Sequence, residues 1–125
     1  MDEIELLESK NSELVKEVFN SLRLLDAVKV SNYFSDFASL DSIEDNITPI
    51  VGREAILDYF RNVFAVAKNV EFKLLGDPVA FGSIVLVKQL NHFEMNATVH
   101  DDLYVSAVYI VNGKINKWIA HLQQI

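Results

Sequence analysis

The stretch GREAILDYFRNVF, residues 52–64, decides how the rest of the chain is read. Ala55, Ile56, Tyr59, Phe60, Val63 and Phe64 recur at the i, i+3, i+4 spacing of a helix, with Arg53, Asp58, Arg61 and Asn62 opposite. Glu54 sits in the first turn, where the helix dipole favours an acid. An inward face this aromatic belongs either to a packed core or to the wall of a cavity.

Upstream, EDNITPIVG (44–52) is polar and broken by Pro49 and Gly52, a loop by composition. Before it, FASLDSI (37–43) alternates Ala38, Leu40 and Ser42 against Ser39, Asp41 and Ile43, as a short strand does. Leu14, Val15, Val18, Phe19, Leu22 and Leu25 predict a helix that starts at Ser12 as N-cap and runs toward Lys29. A shorter helical stretch, Ala27 to Phe34, follows Asp26.

Downstream of Asn69 the helical period is lost. VEFKLLG, PVAFG, SIVLVKQLNHFEMN, LYVSAVYIV and KINKWIAHLQQ are apolar, rich in β-branched residues and parted by turn residues. Asn112-Gly113 is the strongest hairpin signal among them. Helices first and strands after predict an α+β fold.

A chain of 125 residues, half of them hydrophobic, has the size of a single domain, 1–125. Its 11 basic and 18 acidic residues give a net charge of −7, and the basic residues are scattered singly. That excludes the basic footprint that nucleic acid or an anionic membrane surface requires. Cysteine is absent, so there is neither a disulfide nor thiol chemistry. The opening MDEIELLESK carries four acids, and no later segment is long and apolar enough to span a bilayer. The expected location is the cytoplasm. Asn46-Ile47-Thr48 and Asn96-Ala97-Thr98 fit the glycosylation pattern, which without export is a chance match.

The run LLDAVKVSNYFSDFASLDS (24–42), followed by IVGREAILDYFRNVF (50–64) and closed by VNGKINKWIAHLQ (111–123), resembles the ketosteroid isomerase-like and SnoaL-like members of the nuclear-transport-factor-2-like (NTF2-like) superfamily. Three pieces carry the resemblance: Asp26 in the turn after the first helix, Gly52 to Ile56 opening the third, and Gly113 to Ile115 turning into the last strand. It implies an NTF2-like cone, three N-terminal helices packed on a strongly curved antiparallel sheet. Between them lies a pocket that different families use for steroids, polyketides, epoxides or nothing. Such a fold does not fix function.

Carried over residue by residue, the catalytic roles fall on groups that cannot fill them. The isomerase tyrosine falls on Val18 and the isomerase base on Ser42, with Asp41 its neighbour on the opposite face. The third isomerase group falls near Val105 or Ala107. In the epoxide hydrolases one aspartate of an Asp-Arg-Asp set stands two residues after the last-strand tryptophan, here Ala120, and the others have no counterpart in IVLVKQLNHFEMN. Proton transfer beside a carbonyl needs a base of suitable pKa, which neither valine nor an unactivated serine supplies. No catalytic residue is therefore assigned, and whether the protein is an enzyme stays open.

If the last strand follows the family, Trp118, Ala120 and Leu122 face inward, as do Leu103, Val105, Ala107 and Tyr109 beside them. Lys88, His92 and Glu94 are cheaper to leave in solvent, which turns Val85, Val87, Gln89, Asn91 and Phe93 inward. The candidate ligand-binding set is Val18, Ser42, Tyr59, Phe60, Gln89, Asn91, Tyr109, Trp118 and Ala120, an apolar lining with a few neutral polar groups. Aromatic faces at helical spacing more often fill space, so Trp118, Tyr59, Phe60 and Phe64 read first as core. His92, His100, Asp101 and Asp102 match no zinc spacing, and neither a metal nor a cofactor is expected.

The reading that results is a protein binding a small apolar molecule without the usual catalytic groups. One alternative is an isomerase, hydrolase or cyclase on an apolar carbonyl or polyketide-like substrate, using Asp36, Asp41 or the Lys88, His92, Glu94 face. Another is a dimerisation module whose pocket is filled by its own side chains. On the outer face His121, Ile115, Ile119, Ser106, Val108 and Ile110 make an apolar surface, which predicts a homodimer through the convex side of the sheet.

Overall fold

The computed structural model describes residues 2–42 and 48–124. Ile43, expected to end the strand on the face of Ser39 and Asp41, and the loop residues 44–47 lie outside the described part. In chain order the elements are α1 (Glu3–Arg23), α2 (Ala27–Asn32), β1 (Phe34–Ser42), β2 (Ile50–Val51), α3 (Arg53–Val66), β3 (Lys68–Leu74), β4 (Val79–Phe81), β5 (Ile84–Met95), β6 (Thr98–Val111) and β7 (Lys114–Leu122). The strands form one curled, unclosed seven-stranded sheet in the order β2-β1-β7-β6-β5-β3, with β4 paired to β5. This is the α+β cone of the NTF2-like fold.

Helix α1 begins well before the expected Ser12. Asp2 is its N-cap, accepting from the Glu5 amide at 2.8 Å, and Glu3 and Glu5 occupy the first turn. Apolar periodicity could not reveal this first part, because Ile4, Leu6 and Leu7 stay exposed. The buried face begins at Asn11 and continues through Val15, Val18, Phe19 and Leu22. Asp26 caps α2 by accepting from the Lys29 amide at 3.0 Å.

The sheet is mixed rather than wholly antiparallel, since β1 runs parallel to β7. Between Phe34 and Ser39 the β1 register slips against β7, and the bulged segment anchors α3. The Gly52 amide donates to the Ala38 carbonyl at 2.7 Å, and Arg53 pairs with Asp36 at 3.0 Å. Gly52 holds φ at +98°, which a side chain would strain. That geometry explains why glycine and arginine open the helix.

The Asn112-Gly113 hairpin forms as expected, with φ of 50° and 74°. The face assignment on β6 does not hold. Val111 pairs with Lys114 and Ile110 with Ile115, so continuous counting would set Ala107 opposite Trp118. A bulge at Asn116 shifts the register by one residue, and Val108 stands there instead. Residues directly opposite share a face, so a one-residue shift exchanges the two sides of β6. Tyr104, Ser106, Val108 and Ile110 face inward, while Leu103, Val105, Ala107 and Tyr109 face out. Ile115, expected outside, is fully buried. On β5 the expected alternation holds, with Val85, Val87 and Gln89 buried.

The core gathers α1, α2 and α3 against the concave face. Trp118 packs against Phe19 and Phe34, at centroid distances of 5.8 and 6.4 Å, and Ile56 and Phe60 belong to the same core. Each large side chain so buried contributes about 1.5–3 kcal/mol. Among the described residues no helix is long and apolar enough to cross a membrane.

Candidate functional site

The helices do not fill the cone. A cavity of about 150 Å³ remains between them and the sheet. Val18 and Leu22 of α1, Val30 of α2, and Tyr59 and Phe60 of α3 form its roof. Phe34, Leu40 and Ser42 of β1 line one side with Trp118 and Ala120 of β7. Phe72 of β3, Gln89 and Asn91 of β5 and Tyr104 of β6 line the other. Thr48 and Ile50 border it as well.

Eight of the nine sequence-selected residues thus come together, namely Val18, Ser42, Tyr59, Phe60, Gln89, Asn91, Trp118 and Ala120. Tyr109 does not, because the Asn116 bulge turns it outward; Tyr104 takes its place. The aromatic face of residues 52–64 is both core and wall. Phe60 contacts Tyr59 at 5.1 Å and Phe64 at 5.8 Å, and Phe64 in turn meets Phe72 at 6.2 Å.

The polar side of the cavity is a short relay that passes from β6 onto β5. The Ser106 hydroxyl donates to Gln89 Oε1 at 3.2 Å, and Gln89 Nε2 donates to Asn91 Oδ1 at 3.0 Å. Ser106 and Gln89 are buried, so each hydrogen bond offsets a desolvation cost. Sequence reasoning found Gln89 and Asn91 through the charge alternation of β5 but placed Ser106 outside.

Asp41 is the one charged residue among the described lining groups. Strand alternation turns its side chain away from those of Leu40 and Ser42, toward Lys117, whose Nζ lies 3.8 Å from Oδ2. Its Oδ1 is buried without a hydrogen-bond partner. Asp36 is held by Arg53 at the surface. The position of the third isomerase group, Val105 or Ala107, is on the outer face, so neither reaches the cavity.

Lys88, His92 and Glu94 share the outer side of β5, and His92 Nδ1 lies 2.6 Å from Asp101 Oδ1 there. His100 stacks on Phe93 at 4.7 Å, and Asp102 stands opposite Asn91; neither lines the cavity. Among the described residues no three potential metal ligands converge.

A curled sheet closed by three helices over an apolar, sheltered cavity defines the SnoaL-like, NTF2-like fold, and the resemblance read from the sequence holds at that level. Solved structures of this fold superpose closely. An M. tuberculosis LEH-like epoxide hydrolase does so with a TM-score of 0.81 and 16% identity, over 93% of this chain and 84% of the other. Bal32a, from a soil-derived mobile gene cassette, gives 0.84 and 18%, over 94% and 92%. SalBIII, an epoxide hydrolase/cyclase-like enzyme in pyran ring formation in polyether salinomycin, gives 0.80 and 21%, over 94% and 93%. No family model and no curated protein matches the sequence.

Proposed function

We propose that the protein binds a small, neutral, apolar molecule in the cone cavity and does not transform it through the catalytic groups of the isomerases or epoxide hydrolases. The observation that carries this reading is the lining itself. Val18, Ser42 and Ala120 stand where those enzymes keep their working groups by the resemblance, and all three line the cavity. What surrounds them is aliphatic and aromatic, with neutral amides and hydroxyls to orient a guest, apart from Asp41, whose side chain pairs with Lys117. The size favours a single ring or a short chain, since a cavity of about 150 Å³ takes a benzene-sized guest.

The test is native mass spectrometry of the purified protein, followed by a thermal-shift screen with monocyclic ketones, epoxides and hydrocarbons. A ligand that binds only the folded state raises the melting temperature. Silence across the screen, with no retained mass, would move the account to a module whose pocket its own side chains close. Turnover of a bound compound would replace binding with catalysis.

A homodimer through the convex face accompanies this proposal. The outward apolar set there is Leu86, Leu103, Val105, Ala107, Tyr109 and Ile119, and Leu86 and Val105 are exposed. A second copy related by a two-fold axis would cover it. The absence of cysteine suits a reducing cytoplasm.

A further inference from the structure

The polarity of the β5 relay has a direction. Ser106 can rotate its hydroxyl, but in this arrangement it donates to Gln89 Oε1. That leaves the Gln89 amide nitrogen to donate onward to Asn91 Oδ1. With Ser106 as the donor, both amides are oriented along the relay. The consequence falls on Asn91. Its oxygen is taken by Gln89, while its Nδ2 makes no hydrogen bond to another described residue. Asn91 lies on the inward side of β5, between Phe72 of β3 and Asp102 of β6 in register, and lines the cavity.

We infer that Asn91 Nδ2 is the donor that selects the ligand, and that the ligand is an apolar molecule carrying a neutral acceptor oxygen, a ketone or ether rather than a hydrocarbon or a carboxylate. This rests on the binding proposal above and narrows it. A guest lacking the acceptor displaces water from this donor without replacing its hydrogen bond, so the donor favours a ligand that carries one. Carboxylates are disfavoured by charge. No lysine, arginine or histidine is among the described lining residues, whereas Asp41 lines the cavity and Asp102 stands directly across from Asn91.

The experiment is a titration followed by amide and side-chain NH₂ resonances in ¹⁵N-labelled protein. The probes are cyclohexanone, its isostere methylenecyclohexane, which replaces the oxygen by CH₂, and cyclohexanecarboxylate. The ketone is expected to bind roughly 3- to 10-fold more tightly than the isostere, the range of one neutral hydrogen bond. The Asn91 NH₂ signals should shift with the ketone and the carboxylate should not bind. In Asn91→Leu the preference should vanish while methylenecyclohexane still binds. Asn91→Asp, of the same shape, should lose the ketone as well, and the spectrum itself reports that each variant is folded.

Equal affinity for ketone and isostere in the wild type overturns the Asn91 inference and leaves the binding proposal standing. A preference that survives in Asn91→Leu does the same. Tight carboxylate binding overturns the charge argument and with it the ligand class. No saturable binding of any probe overturns the binding proposal, and this inference falls with it.

Discussion

Replacing Ala120 by leucine distinguishes a cavity from a packed core by the sign of its effect. Ala120 lines the cavity on the same side of β7 as Trp118, so the three added carbons enter free space of about 150 Å³. Each buried methylene contributes about 0.8 kcal/mol, hence about 2.4 kcal/mol in total. Fixing the leucine rotamer takes back about 0.5–1 kcal/mol. The net expectation is a stabilisation of about 1.5 kcal/mol. For a chain of 125 residues, 1 kcal/mol moves Tm by about 4 °C, so the rise is about 6 °C. The assay is thermal unfolding by circular dichroism in the absence of ligand. If neighbouring side chains already filled the space, overpacking would cost about 1–3 kcal/mol and Tm would fall. A fall would refute the open cavity.

Ala97 holds φ at +63° in the turn joining β5 to β6, a conformation that costs an L residue about 1–2 kcal/mol. Ala97→Gly relieves it against a loss of about 0.5–1 kcal/mol in chain entropy, so Tm should rise by a few degrees, and a lower Tm would contradict the turn geometry. Asp41→Asn removes a charge whose exposed Lys117 partner is worth little, so stability should stay within about 1 kcal/mol and ligand affinity should not change. Turnover by the wild type that disappears in this variant would instead make Asp41 a base. Ile119→Lys puts a charge on the convex face and should give a monomer mass in sedimentation, with an unchanged mass counting against that interface.

The helices and the order of the strands were legible because apolar periodicity carries them. The α3 pattern and the Asn112-Gly113 turn each had one physical reading, and the cost of burying Lys88, His92 and Glu94 favoured the face of β5 that the structure turns inward. The start of α1 had none, since its first turns bury no apolar face. The β6 faces were lost to a single residue. Val105, Ala107 and Tyr109 alternate as regularly as Tyr104, Ser106 and Val108, both sets are largely apolar, and only the bulge at Asn116 decides between them. That one bulge moved Tyr109 out of the candidate site and Ser106 into the relay that orients Asn91. The break after Asn96 is legible, but β6 resumes at Thr98 and not at Leu103, because alanine does not advertise the positive φ that makes the turn tight.

The cone holds an open cavity for a small neutral guest if ligand and side chain compete for the same space. The most direct test is the melting temperature of wild type and Ala120→Leu, side by side, with increasing cyclohexanone. At a ligand concentration of 100 times Kd the wild type should gain about 2.7 kcal/mol, a rise of about 10 °C, while the filled variant should not respond. An equal rise in both proteins would place the guest elsewhere, and no rise in either would contradict the account.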